Sequence, residues 1–229
     1  MSRSLKILGI ETATLRCEIA LSLDDQILAS APLRADSRPT ATLALTIRDL
    51  CRSVGWSPRE LHLICVDLGP GSYTGLRVGI TSAKTLAFAA GADLATAGSL
   101  EVVANNVEAT EQLAEVAFDA ARGQVFACRF RREKDSWTPI QAVRIVTAED
   151  WARGLEPSAL ILGPALEKYR HLLPAHSRVA PDAVWWPHAE QALRLGLRQF
   201  RTSPLTEYFS LEPLYLRPSA AEEKLVARD

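Results

Sequence analysis

The chain has 229 residues, 48% of them hydrophobic and 23% charged, the balance of an ordinary globular protein with length for one large domain or two small lobes. A formal net charge of -1 argues against a protein that grips nucleic acid by itself, and no apolar run approaches the ~18 residues of a membrane span. The first residues, Met1 to Lys6, lead straight into strand-like sequence without the apolar centre of a signal peptide, so the expected setting is the cytoplasm. Cys17, Cys51, Cys65 and Cys128 form no Cys-x-x-Cys pair and sit in apolar or amphipathic segments, which reads as four buried, reduced thiols.

In chain order, Ile7–Ile10, Cys17–Leu23 and Gln26–Ala31 read as three strands, the last two joined by a turn at Asp24-Asp25. Pro39–Val54 reads as a helix: Leu43, Ile47, Leu50 and Val54 fall on one stripe, and Gly55 ends it. Leu63–Leu68 is a buried strand. A Gly-rich stretch follows, then a helix over Val78–Ala90 and a short strand at Leu94–Ala97. Beyond Leu100 the pattern gives a helix, strands at Leu113–Asp119 and Val125–Arg131 around an Arg122-Gly123-Gln124 turn, and a third strand near Pro139–Val146. Thr147–Gly154 is a short helix with Thr147 as its cap and Asp150 in its first turn. Ala159–Gly163 is a strand, and Ala189–Phe200 a helix with Leu193, Leu197 and Phe200 inward. Three strands, helix, strand, helix thus occurs once in full and again in degenerate form. Two similar α/β lobes are expected, 1–100 and 101–229, with a C-terminal stretch from Pro204 that wraps the body and is mobile at Glu222–Asp229.

The stretch Gly69-Pro70-Gly71-Ser72-Tyr73-Thr74-Gly75-Leu76-Arg77-Val78-Gly79 carries the most information. Its glycines allow torsions and close approaches that a Cβ forbids, and the expected tight loop gathers N–H groups at a helix N-terminus, where an anion or a partner's backbone can sit. It is neither a Walker A loop, since no Gly-Lys-Ser/Thr follows, nor a dinucleotide fingerprint, since the glycines are spaced wrongly. A structural turn and a functional loop are both open on these residues alone.

This stretch, followed by Ala83-Lys84, resembles the signature loop of the TsaB (YeaZ) family. Ile7–Thr14 is similar to that family's first strand and turn, Phe118–Phe126 to its second-lobe hairpin, and Glu212–Arg217 to its C-terminal stretch, so the resemblance spans almost the whole chain. It implies a two-lobed actin-like ATPase (ASKHA) fold with a degenerate second lobe. It implies a non-catalytic scaffold that supports a TsaD-like catalytic subunit, together with a TsaE-like ATPase, in threonylcarbamoyl transfer to the adenosine beside the anticodon of tRNA. Transfer RNA would be reached only through the complex, with no cofactor of the chain's own; nucleotide at the complex interface and a homodimer of the lone chain stay open. The other reading is an autonomous ATP-binding kinase or ATPase of the same superfamily, with Glu11, Thr12 and the loop at 69–75 on the nucleotide.

The residues themselves favour the first reading. Glu11 is longer than the Asp such a phosphate turn uses, and Ala13 carries a Cβ where Gly is favoured. His62, His171, His176 and His188 make no i, i+4 helical pair for a metal, and Pro39 stands where many relatives have His. Ser72 has no Gly-x-Ser-x-Gly elbow around it and no base that can be named, which argues against a protease. Asp119 and Arg122 flank the second-lobe turn as either a charged pair facing a cleft or a surface ion pair of little energy. Trp185 and Trp186 are adjacent and cannot both point inward on a strand. The partner surface is expected on the two first-lobe helices: Ala41, Leu45 and Arg48 lie off the core stripe of the first, and Gly79, Ala83, Ala87 and Ala90 form a stripe of small residues on the second.

Overall fold

A computed structural model describes residues 4–33, 39–107, 110–134, 136–205 and 207–216, with the backbone alone for 39–41. The tail segment 222–229, expected to be mobile, lies outside the described residues.

The chain opens with an antiparallel meander, β1 (Lys6–Glu11), β2 (Glu18–Leu23) and β3 (Gln26–Pro32). The turn into β3 places Asp24 at φ 51°, a left-handed position that Asp tolerates. Helix α1 (Pro39–Ser53) then leads to β4 (Leu63–Asp67), which is buried along its whole length and runs parallel to β1. Helix α2 (Tyr73–Ala90), stopped by Gly91 at φ 64°, returns the chain to β5 (Asp93–Ala97), parallel to β4. The sheet order is β3-β2-β1-β4-β5.

A short helix, α3 (Ser99–Ala104), crosses to a second sheet. Its strands are β6 (Leu113–Asp119), β7 (Gln124–Glu133), β8 (Ser136–Pro139), β9 (Arg144–Thr147), β10 (Leu160–Leu162) and β11 (Arg178–Val179). The path β8-β7-β6-β10-β11 repeats the first sheet: β8, β7 and β6 are antiparallel neighbours, and β6, β10 and β11 are parallel. Three antiparallel strands followed by two parallel ones thus occur twice over, the two-lobed arrangement with a repeated sheet that was expected. Helices α4 (Ala148–Arg153), capped by Thr147 through Asp150 N–H, and α5 (Leu166–Tyr169) belong to this lobe.

Three expectations need correction. The third strand near 139–146 is two strands on one partner: β8 pairs with the far half of β7 and β9 with its near half. Pro139, which has no N–H for a ladder, ends the first of them. Helix α2 begins at Tyr73 rather than Val78, because Ser72 caps it, so Tyr73, Thr74, Gly75 and Arg77 are helical and the loop shrinks to residues 68–72. Residues 101–229 do not stay in one lobe. Helix α6 (Ala189–Thr202) packs on β1, β4 and β5 of the first sheet, burying Leu193 and Leu197 among Ile7, Leu63, Cys65 and Ala95. Cys65 supplies the reason: a Cβ on Gly196 would stand 2.6 Å from its Sγ, so only a glycine lets the helix come that near.

The first sheet is therefore sandwiched, with α1 and α2 on one face and α6 on the other. All four cysteines are buried and unbridged, and burial pushes the Cys51 thiol up to about 11 and the Cys128 thiol up to about 12. Among the described residues no helix is long and apolar enough to cross a membrane.

Candidate functional site

The Gly-rich motif is a seam between two pieces of backbone. Gly69 takes φ +104°, a torsion for glycine, and is followed by a cis bond to Pro70. Gly71, Gly75 and Gly79 then recur every four residues and face the end of β1. A Cβ would stand 2.3 Å from Ala13 O at Gly71, 2.1 Å from Thr12 O at Gly75 and 2.2 Å from Thr12 Oγ1 at Gly79. The N–H of Ser72 donates to Ala13 O at 2.7 Å, and the Ser72 hydroxyl accepts from the N–H of Gly75 at 3.2 Å. Ser72 is thus a helix cap, and no base accompanies it in these contacts.

The outer side of the same turn is aromatic. Tyr73 stacks on Tyr215 with ring centroids 4.7 Å apart, and the Arg77 guanidinium lies 4.9 Å from the Tyr73 ring. The C-terminal stretch crosses here, held by the N–H of Leu214 donating to Leu68 O at 2.8 Å and by Lys84 Nζ donating to Phe209 O at 2.7 Å.

Behind the seam lie two carboxyls with no exposure, Glu11 at the end of β1 and Asp67 at the end of β4. Glu11 Oε1 accepts from the N–H of Ala13 at 2.7 Å. Asp67 Oδ1 accepts from the N–H of Gly69 and from the hydroxyl of Ser99, both at 2.7 Å. The two carboxyls end neighbouring parallel strands in which Ile10 pairs with Val66, so they stand side by side. Burial, with the Asp67 charge beside it, holds Glu11 well above the usual carboxylate range, and burial also raises Asp67. Glu11 is thus an internal structural group, sealed from the cleft that a phosphate or metal ligand would face. Thr12 is equally buried, and nothing donates to or accepts from its hydroxyl.

Between the lobes is a cavity of about 660 Å³, walled by Thr14, Leu15, Ser72 and Tyr73 on one side and Phe118, Asp119 and Lys168 on the other. Asp119 accepts from the N–H of Ala121 at 2.9 Å and from the Tyr169 hydroxyl at 3.1 Å, and lies 3.4 Å from Lys168 Nζ. It is held in the turn while lining the cavity, and the cation beside it there is Lys168. The tryptophans divide: Trp185 is in the core with its N–H donating to Ala180 O at 2.8 Å, while Trp186 faces the cleft with the Arg16 guanidinium 4.1 Å from its ring. Among the described residues no three His, Cys, Asp or Glu side chains are placed to hold a metal ion.

The expected partner stripe on α2 is corrected. Gly79, Ala83 and Ala87 are buried, the alanines at 0%, in their own lobe's core; only Ala90 is partly open. Small residues allow close packing, and here the neighbour is Thr12 and the first core. The side chain of Ala41 lies outside the described residues, while Leu45, 51% exposed, and Arg48 do face outward. The open face of α2 instead carries Tyr73, Arg77 and Phe88, the last 72% exposed and edge-on to Phe209 of the C-terminal stretch. Sequence reasoning missed Asp67, Ser99, Phe88 and Tyr215. One signal was available: Asp67 is the sole acid in an otherwise apolar strand, and a buried lone charge needs a partner.

Comparison with known proteins now adds the family. The model of the family described as TsaD: tRNA N6-adenosine threonylcarbamoyltransferase matches residues 31–174. The tRNA threonylcarbamoyladenosine biosynthesis protein TsaB of Bacillus subtilis is 27% identical over 227 residues, covering 96% of this chain and 97% of that protein. The TsaB of Escherichia coli is 26% identical over 234 residues, covering 98% and 100%. The solved structure of YeaZ from Pseudomonas aeruginosa shares the fold with a TM-score of 0.80 at 22% identity, covering 93% of this chain and all of that one.

Proposed function

The chain belongs to the family that the TsaD model describes, on its TsaB (YeaZ) branch, and from that premise we propose that it is a non-catalytic subunit in threonylcarbamoylation of tRNA adenosine. It scaffolds a TsaD-like catalytic subunit, works alongside a TsaE-like ATPase, and meets tRNA only through that assembly. One observation carries the non-catalytic reading. The carboxyl groups at the ends of β1 and β4, where such a fold would hold a phosphate or an attacking water, face inward and accept from backbone N–H groups. A group with no exposure cannot reach a substrate in the cleft.

The partner surface in this proposal is the outer face of α1 and α2, with Leu45, Arg48, Arg77, Phe88 and the adjoining Phe209. Exposed aromatics and an Arg are the residue types that anchor interfaces. Leu45→Arg and Phe88→Glu remove nothing from the core, so both variants should melt with the parent yet fail to co-purify with the same organism's TsaD-like protein. Retained co-purification by both folded variants would move the surface elsewhere.

The cavity between the lobes keeps a second reading in play, that of an autonomous ATPase or kinase, because its 660 Å³ suits a nucleotide-sized ligand. Hydrolysis of ATP by the purified chain alone, compared with the chain plus its partner, separates the two. Turnover by the lone chain would overturn the scaffold reading.

A further inference from the structure

The contacts around Glu11 and Asp67 leave one oxygen on each carboxyl, Glu11 Oε2 and Asp67 Oδ2, to which no N–H or hydroxyl donates. Both oxygens are sealed from water, so neither can be solvated in place of a donor. Two ionised carboxylates side by side within a dry interior would repel strongly, and among the described residues no cation stands beside either to offset this. The other titratable or polar groups that reach them are Cys17 from the β2 end and Ser99 from α3; the Cys17 thiol is itself pushed up by burial. A proton held between the two spare oxygens would give each a partner and remove one of the two charges.

We infer that Glu11 and Asp67 hold one shared proton, and that this proton is a latch fixing the β1–β2 turn to the loop at the base of α2. Asp67 has the two outside donors, Gly69 N–H and Ser99 hydroxyl, so it is the better anion and Glu11 carries the proton. Three chain segments hang on the latch. Glu11 positions the turn through Ala13, Asp67 positions the loop through Gly69, and Ser99 ties in the start of α3. The turn and the loop are also walls of the interlobe cavity, which Ala13 and Gly71 both line. Transfer of the proton to a solvent base leaves two adjacent buried anions, and the bond from Ser72 N–H to Ala13 O must then hold the turn to the loop against their repulsion. The cleft wall then loosens as pH rises, with both residues acting as positioning residues.

The sign follows from the direction of the Glu11 shift. Its folded-state value lies above its unfolded one, so the native chain keeps a proton that the unfolded chain has given up. The stabilisation is complete in acid, below the ordinary carboxylate value, and is lost as pH rises towards the folded value.

The test uses the full chain, labelled at its carboxyl carbons, and Glu11→Gln, whose amide donates to Asp67 with no titratable proton. In the wild type one Glu carbon should remain in its protonated position at neutral pH, far above the usual ~4, and be missing from the variant. Hydrogen exchange at the Ala13 and Gly69 amides should climb with pH faster than hydroxide concentration in the wild type, and in proportion to it in Glu11→Gln. Ser99→Ala, which takes a donor from the Asp67 anion, should move the titration to higher pH. A full set of ordinary carboxyl titrations in the wild type overturns the inference. So does equal pH dependence of exchange in wild type and Glu11→Gln, or a downward shift in Ser99→Ala.

Discussion

The two sheets share one strand order and one set of strand senses, yet they are buried by different means. The first lies between helices of 15, 18 and 14 residues, and its buried hydrophobic side chains are Leu, Ile, Val, Ala and Cys. The second has helices of only 6, 6 and 4 residues. Its core is filled by Trp137, Trp151, Trp185, Phe118, Phe130 and Tyr169. A long helix covers a sheet with many small contacts; a short one leaves gaps that large rings close. The same topology can therefore persist while the material that seals it changes, and each lobe should fail in its own way.

The largest expected effect is in the ring-filled lobe. Trp151 has no exposure, and Trp151→Ala should cost about 4 kcal/mol in urea unfolding. A loss under about 1 kcal/mol would mean that the short helices close the gap themselves. The buried acids give the next contrast. Glu115 has no exposure and is bracketed by Arg129 at 2.8 Å and Arg144 at 3.0 Å. Glu115→Gln leaves Arg144 without its counter-charge and Arg129 with only the more exposed Glu156 at 3.8 Å, and should cost about 3 kcal/mol at neutral pH. Glu11→Gln, which on the inference above exchanges a protonated carboxyl for a neutral amide beside the Asp67 anion, should cost nothing there, and equal losses would erase the distinction.

The seam of the first lobe should yield to bulk. Gly75→Ala puts a methyl 2.1 Å from a carbonyl oxygen, and the repacking it forces should cost about 2 kcal/mol, seen as a lower melting temperature. Smallest is the contact between the lobes. Arg16→Ala removes a guanidinium stacked on Trp186 and a half-exposed pairing with Glu167, so thermal melts should register no more than about 1 kcal/mol.

Much of this was legible in the residues. The first-lobe strands and α1 follow from apolar spacing, and Leu193, Leu197 and Phe200 do face inward on α6. Their destination was not legible: an amphipathic helix announces a face to bury, not which of two sheets will bury it. The start of α2 was missed because glycines argue against helix, although Ser72 followed by Gly75 N–H is an ordinary cap. The stripe Gly79, Ala83, Ala87 was legible as a close approach, but the same pattern serves a partner or the chain's own turn. The four-residue rhythm back through Gly75 and Gly71 to Thr12 decides it, and that contact needs coordinates. Glu11 stood out as a strand-end acid; its partner lies 56 residues on, across a sheet register that composition does not encode.

Helix α6 has a consequence for how the protein is born. One face of the first sheet, with Ile7, Leu63, Cys65 and Ala95, has no cover until residues 189–202 arrive. On a ribosome the whole second lobe is made in between, a wait on the order of ten seconds at ~10 residues per second. The lobe that is translated first is thus the last to be completed, and its greasy underside is on offer to chaperones throughout the interval.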